Sequence, residues 1–250
     1  MPLSDLPAFE PGHFIPEYRP MRSGAWQITQ TENVLCQGYW GPAVLVPSVS
    51  ALLRDGNVWM SITPMELESQ AIGIAQATGH VVIFGLGMGW AAAATAMRAQ
   101  VSAVTVVEFD PEVLMLHRAL DIFSQLPPEA RSKIRIEQGD AYSWRPSAPV
   151  DVLMPDIWLP LVSDGRVAEV HRMQSNVGAA SVYFWGQEME IARHAAAVGR
   201  PLDDGGIAAT VAGFGLPLLG PETTDYAKRV AIAAERWMGD RWLLAKVGLA

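Results

Sequence analysis

At 250 residues, half of them hydrophobic and 18% charged, the chain has room for one large domain, or a main domain with a small appendage, and is too apolar to be disordered. A formal net charge of -8, with lysines and arginines scattered, argues against binding a nucleic-acid backbone. One cysteine, Cys36, excludes a disulfide scaffold and a cysteine-based zinc site, and the five histidines show no metal-ligand spacing, so no metal is expected.

The first 24 residues are proline-rich and aperiodic, and they read as an extended arm without a secretory leader. From Trp26 to about Ile62 come short strand-like runs: WQITQ, VLCQGYW, AVLVPS and ALLRDGNVWMSIT. Asp55-Gly56 between apolar runs signals a hairpin, so this part is expected to be a small antiparallel β unit. Pro64 then opens a helical stretch, PMELESQAIGIAQATG, with Thr63 as N-cap, Glu66 and Glu68 at its positive start and Gly79 at its end. The expected division is residues 1–63 as arm and β unit and residues 64–250 as a Rossmann-like domain.

Beyond it strands and helices alternate. HVVIFGLG, SAVTVVEFD, SKIRIEQGDA, VDVLMPDIW and GAASVYFWG read as five strands. GWAAAATAMRAQ, PEVLMLHRALDIF and QEMEIARHAAAVG read as helices. Near-continuous apolar strands separated by helices predict an α/β fold, a doubly wound parallel sheet covered on both faces. The uncharged run Val81–Met97 carries three glycines and changes from β-branched to alanine-rich, as a buried strand feeding a buried helix would, so no membrane span is expected. A soluble, cytoplasmic protein is the expectation. GIAATVAGFGLPLLG should finish the sheet, and YAKRVAIAAERWMGDRWLL should add a C-terminal helix.

In such a sheet ligands bind beyond the carboxyl ends of the strands. Four successive strand ends there carry Gly85-Leu86-Gly87-Met88-Gly89, Glu108-Phe109-Asp110, Gly139-Asp140-Ala141 and Asp156-Ile157-Trp158. A glycine turn lets a ligand approach the backbone, and an acid about twenty residues on is placed to accept both hydroxyls of a ribose. This fits a nicotinamide or an adenosyl cofactor. Asp140-Ala141 suits an adenine edge, and the third glycine falls one residue short of GxGxxG, with bulky Trp90 next, which favours the adenosyl cofactor. Asp110 before Pro111 is equally readable as a helix cap, and Asp151 as a loop acid. Trp90, Trp158 and Trp185 lie near the ligand edge and are placed to wall a pocket.

On these motifs the stretch from about Leu53 to about Ala195 resembles class I S-adenosylmethionine-dependent methyltransferases, and among them the spermidine synthase family. VVIFGLGMG is similar to the glycine motif, VTVVEFDPEVL to the acidic strand motif, IEQGDAYSW and VDVLMPDIW to the next two, and LLRDGNVWMSITPMELESQAI to the family's leading hairpin and helix. The resemblance implies a cofactor site of Gly85, Gly87, Met88, Gly89, Glu108, Phe109, Asp140 and Ala141. The glycines would line the methionine part, Glu108 the ribose, and Asp140 with Ala141 the adenine. It puts Trp59, Glu68, Trp158 and Gln187 on the substrate side, and Asp156 where aminopropyltransferases keep the acid that helps deprotonate the attacking amine. Aminopropyltransferases have an Asp where Met88 stands, a Gln at Trp59, a Tyr-His pair at Glu68-Ser69, and Asp-Ser-Ser-Asp-Pro in place of Asp156-Ile157-Trp158-Leu159-Pro160. These departures shift the expectation to methyl transfer onto a small, partly apolar acceptor, with S-adenosylhomocysteine as product. Aminopropyl transfer from decarboxylated cofactor, a non-catalytic partner subunit and a nicotinamide oxidoreductase are the alternatives. A homodimer is expected from the resemblance.

Overall fold

The computed structural model describes residues 9–238. It contains two sheets. The first is antiparallel, in the order β1 (Met21–Ser23), β2 (Trp26–Cys36), β3 (Val44–Arg54) and β4 (Asn57–Ser61). The runs read separately as WQITQ and VLCQGYW begin one long strand, β2, whose pairing with β3 skips at Asn33, a residue with φ 53°. AVLVPS and ALLR likewise fuse into β3. Pro47 is tolerated there because β4 pairs only with residues 51–54, so the missing N–H interrupts no second ladder. The arm is not wholly irregular: Met21–Ser23 pairs with β2. Asp55 and Gly56 both have positive φ, 49° and 80°, as the expected two-residue hairpin requires.

Helix α1 spans Pro64–Gln76. Thr63 stands at its N-cap position, but its hydroxyl bonds Ser61 Oγ (3.1 Å) and not the helix. Gly79 does not close this helix; it opens the next strand.

The second sheet is parallel: β5 (Gly79–Phe84), β6 (Val101–Glu108), β7 (Ile134–Gln138), β8 (Val152–Pro155) and β9 (Ser181–Val182), in the order β7-β6-β5-β8-β9. This is the expected doubly wound, Rossmann-like sheet, and its strand order reverses between β5 and β8, where such folds open a crevice. Val81 and Ile83 face one core layer and Val82 and Phe84 the other, which explains the unbroken apolar run. The crossovers carry α2 (Trp90–Ala96), α3 (Pro111–Leu120), α4 (Pro128–Ser132) and α5 (Arg166–Val177); the last two were unassigned in the sequence. Beyond β9 follow α6 (Gln187–Ala197), α7 (Asp204–Phe214) and α8 (Tyr226–Trp237). The stretch GIAATVAGF, expected to finish the sheet, is instead α7: the Asp203 side chain accepts from Gly206 N (2.7 Å) and starts a helix. Among the described residues the sheet gains only a parallel bridge from Leu218 to Val182. The end of the expected C-terminal helix, from residue 239, lies outside the described residues. Among the described residues no helix is long and apolar enough to cross a membrane.

Helix α6 carries an ionisable group into the core. Glu188 has no exposed surface, and the hydroxyls of Tyr39, Tyr183 and Tyr226 donate to it at 3.4, 3.1 and 3.2 Å. Burial pushes its pKa up from 4.5 to about 7, against the pull of those hydroxyls and a backbone N–H. The folded state therefore keeps a proton between these two values that the unfolded chain releases, so this group's contribution to stability falls as pH rises through that window. Its size is about 3 kcal/mol across the window, at 1.36 kcal/mol per unit. Urea unfolding of wild type and Glu188→Gln from pH 4 to 8 is expected to show a steeper decline for wild type by about that amount. Parallel curves would show that Glu188 does not titrate there.

Candidate functional site

A cavity of about 450 Å³ opens at the carboxyl ends of β5, β6, β7 and β8, roofed by the β3–β4 hairpin and one face of α1. It lies at the reversal of strand order. Gly85 follows β5 with φ +96°, and a Cβ there would sit 2.1 Å from the Asp156 carbonyl oxygen, so only glycine lets the ends of β5 and β8 come together. Glu108 ends β6. One of its carboxylate oxygens accepts from Leu86 N (2.8 Å), the other from Asp110 N (2.7 Å). Burial raises its pKa, while these N–H groups pull it back down. Each oxygen keeps a further lone pair, on a carboxylate that lines the cavity. Beyond β7, Asp140 accepts from Tyr142 N at 2.9 Å, among the described residues through Oδ1 only. Among the described residues the Ala141 N–H has no acceptor. Asp110 lines the cavity but is also structural: it caps α3 through Glu112 N (2.9 Å) and accepts from Trp26 Nε1 (2.9 Å). Asp151 accepts from His80 N at the opposite end of the sheet.

The other side of the cavity is built on β8 and α1. Asp156 accepts from Gln70 Nε2 at 2.7 Å. Burial pushes its pKa up to about 7, while the Arg166 guanidinium and the Gln70 bond draw it down. Glu66, one turn before Gln70 on the same helix face, is 5% exposed, and among the described residues its carboxyl has no hydrogen-bond partner. Burial and the neighbouring Asp156 hold its pKa well above the usual carboxylate range. Tryptophans form the walls, each fixed by its indole N–H or its ring. Trp59 meets Trp26 edge-on at 5.3 Å, Trp185 donates to Ser69 Oγ (3.0 Å), and Trp90 donates to the Phe14 carbonyl (3.1 Å). Trp158 donates to Glu169 (2.5 Å) beneath the Arg166 guanidinium, 4.0 Å from its ring. Arg166 has no exposed surface and anchors the loops after β8 and β9 through the Pro160 and Trp185 carbonyls. Among the described residues no group of three or more His, Cys, Asp or Glu is placed to hold a metal ion.

No protein-family model matches the chain, and no curated protein does. Solved structures align with part of it. The glycopeptide N-methyltransferase MtfA complexed with S-adenosyl-L-homocysteine aligns at 16% identity and TM-score 0.36, over 44% of this chain and 43% of that one. The methyltransferase domain of bacterial CtHen1-C aligns at 15% and 0.34, over 44% and 58%. The DhpI–SAH complex aligns at 20% and 0.30, over 44% and 48%. The chain thus spans about half the length of the structures it matches.

The structure places Gly85, Gly87, Glu108, Phe109, Asp140, Ala141, Asp156, Trp59 and Trp158 around this one cavity. Four other expected site residues lie elsewhere. Met88 is fully buried in the core, and only its backbone N–H reaches the hairpin, at Met60 Sδ (3.2 Å). Gly89 starts α2 and lets it pack on α3: a Cβ would lie 2.6 Å from His117 Nε2. Glu68 points away from the cavity and binds the Trp40 and Gly41 N–H groups (2.9 and 2.8 Å), because residues two apart on a helix face opposite sides. Gln187 is fully buried and donates to the Leu219 carbonyl (2.8 Å) and Tyr226 Oη (3.0 Å). The sequence reading missed Gln70, Met60 and Trp26 as lining residues, and it took Glu66 only as a helix-start acid. The i, i+4 pairing of Glu66 with Gln70 was the available signal.

Proposed function

We propose that the cavity binds S-adenosylmethionine and that the protein transfers its methyl group to a small acceptor, releasing S-adenosylhomocysteine. The observation that carries this is the Glu108 carboxylate, held by two backbone N–H groups beside the Gly85-Leu86-Gly87 turn in the crevice where strand order reverses. The residues fit the group. Glu108 has lone pairs left for the ribose hydroxyls, the free Asp140 oxygen for the exocyclic amine of adenine, and the unpaired Ala141 N–H for a ring nitrogen. The cavity volume falls in the range of small-molecule sites. Its lining has five carboxyl side chains and one basic residue, Arg54, which suits a cationic cofactor. When bound, adenosylmethionine supplies a methyl group on a sulfonium, whose carbon–sulfur bond breaks with its electron pair left on sulfur as the acceptor's lone pair takes the methyl carbon. Asp156 is the residue placed to take the acceptor's proton, and the tryptophan walls position the acceptor and exclude water.

Aminopropyl transfer on the same scaffold is the second reading, favoured by the paired acids Glu66 and Asp156. Mass spectrometry of products from adenosylmethionine or its decarboxylated form separates the two. Isothermal titration with adenosylmethionine tests the shared core: binding is expected, weakened about 10–100-fold in Glu108→Gln, as for a lost charge-assisted hydrogen bond. No heat at millimolar adenosylmethionine would overturn the first reading, and none with the decarboxylated form would overturn the second.

A further inference from the structure

We propose that the acceptor is an amine with a single positively charged nitrogen on an apolar body, and that Glu66 is the residue that selects it. This rests on the reading of the cavity as an adenosylmethionine site. The acids of the cavity fall into two sets. Glu108, Asp110 and Asp140 lie at the ends of β6 and β7, and each is occupied by backbone N–H groups. Glu66 and Asp156 lie at the other end, beside the tryptophans, and Gln70 donates to Asp156 alone. Glu66 is the outlier: buried, lining the cavity, and among the described residues without a hydrogen-bond donor to meet its carboxyl.

Two neighbouring carboxyls oppose each other's ionisation, and a cation between them removes that opposition. Arg166 draws down the pKa of Asp156 from behind Trp158, but its guanidinium is bonded to the Pro160 and Trp185 carbonyls and among the described residues makes no bond to Glu66. Arg54 is over the Trp26 ring at the hairpin turn. A ligand ammonium is the donor that Glu66 lacks. Trp59 and Trp158 line the same cavity, and indole rings favour both a nearby cation and the apolar body behind it. The remaining acids belong to the cofactor end and Asp156 is taken up with the departing proton, so a second ammonium on the acceptor would find no carboxylate of its own. With Glu66 holding the positive nitrogen, Asp156 receives the proton that must leave before the nitrogen lone pair is free to react.

The test uses the full chain loaded with S-adenosylhomocysteine, so that binding is read without turnover. Calorimetric titrations compare phenethylamine and benzylamine with 2-phenylethanol and with 1,4-diaminobutane, in wild type and in Glu66→Gln. The monoamines are expected to bind at least tenfold tighter than the neutral alcohol. Glu66→Gln should erase that preference while changing the affinity for S-adenosylhomocysteine less than threefold. Replacing the unpaired buried carboxyl by an amide is expected to leave the thermal midpoint unchanged or raise it, and this is measured alongside. Equal binding of amine and alcohol, no monoamine binding at millimolar concentration, or a preference that survives in Glu66→Gln would overturn the proposal. So would tighter binding of the diamine, or loss of S-adenosylhomocysteine in place of the amine. If S-adenosylhomocysteine itself fails to bind, the cofactor reading falls; the same titrations on the unloaded chain still decide the role of Glu66.

Discussion

Replacing Asp156 by Asn is expected to lower kcat for methyl transfer by about 10²–10⁴-fold, the range for loss of a positioned general base. The substitution is close to isosteric, and an Asn oxygen still accepts from Gln70 Nε2, so what it removes is proton acceptance and not position. The pH profile supplies the second readout. Below pH 7 the Asp156 carboxyl is largely protonated, because burial outweighs the pull of Arg166 and Gln70, and a neutral carboxyl accepts no proton. Wild-type kcat/KM, which reports the free enzyme, should therefore climb about tenfold per pH unit up to about pH 7 and level off above it, and the residual activity of the variant should lack that limb. A variant with wild-type turnover, or with the same limb, would remove Asp156 from the chemistry. Its stability should move the other way, since a buried acid that resists ionisation becomes an amide.

The second large effect is expected from Gly85→Ala. The residue has φ +96°, and the added methyl would fall 2.1 Å from the Asp156 carbonyl oxygen. Neither side has room to yield: Gly85 N donates to Val107 O (2.9 Å) and Asp156 N to Phe84 O (2.8 Å), so both are pinned in the sheet. Backbone strain alone costs about 1–3 kcal/mol, and prying two strand ends apart adds to it. A total of about 4 kcal/mol lowers the thermal midpoint of a chain this size by roughly 10 °C and spreads the seat of the cofactor. Gly56→Ala is the comparison. Its φ is also positive, at +80°, but a Cβ there meets nothing within 4 Å, so its loss should be limited to the backbone term. Equal shifts for the two variants would refute the crowding argument.

The sheet and the acids at the β6 and β7 ends of the cavity were legible because their signals are local. Buried strands read as unbroken apolar runs, and the acids at their ends follow within a residue or two. The errors share a different cause. Glu66 and Glu68 are chemically alike and two residues apart, and only the rotation of α1 decides that the first faces the cavity and the second faces Trp40. In α7 the exposed positions are filled by alanines, such as Ala208, Ala209 and Ala212, so the polar stripe that marks a helix is missing and the segment resembles a buried strand. Gln187 follows Gly186, whose φ of 81° turns the chain away from the cavity, an angle that composition does not reveal. The gap read between WQITQ and VLCQGYW closes into one long ladder that skips only the position where Asn33 stands opposite Pro47.

The two N–H groups that converge on Glu108 have a kinetic consequence. They join the loop after β5 to the end of β6, and the Trp26–Asp110 bond adds the antiparallel sheet to the same assembly. Loops that would wander independently are already immobilised before a guest arrives, so little disorder is left to be lost on docking. Association should accordingly be a single fast phase whose observed rate rises linearly with cofactor concentration, without the plateau that a closing step imposes.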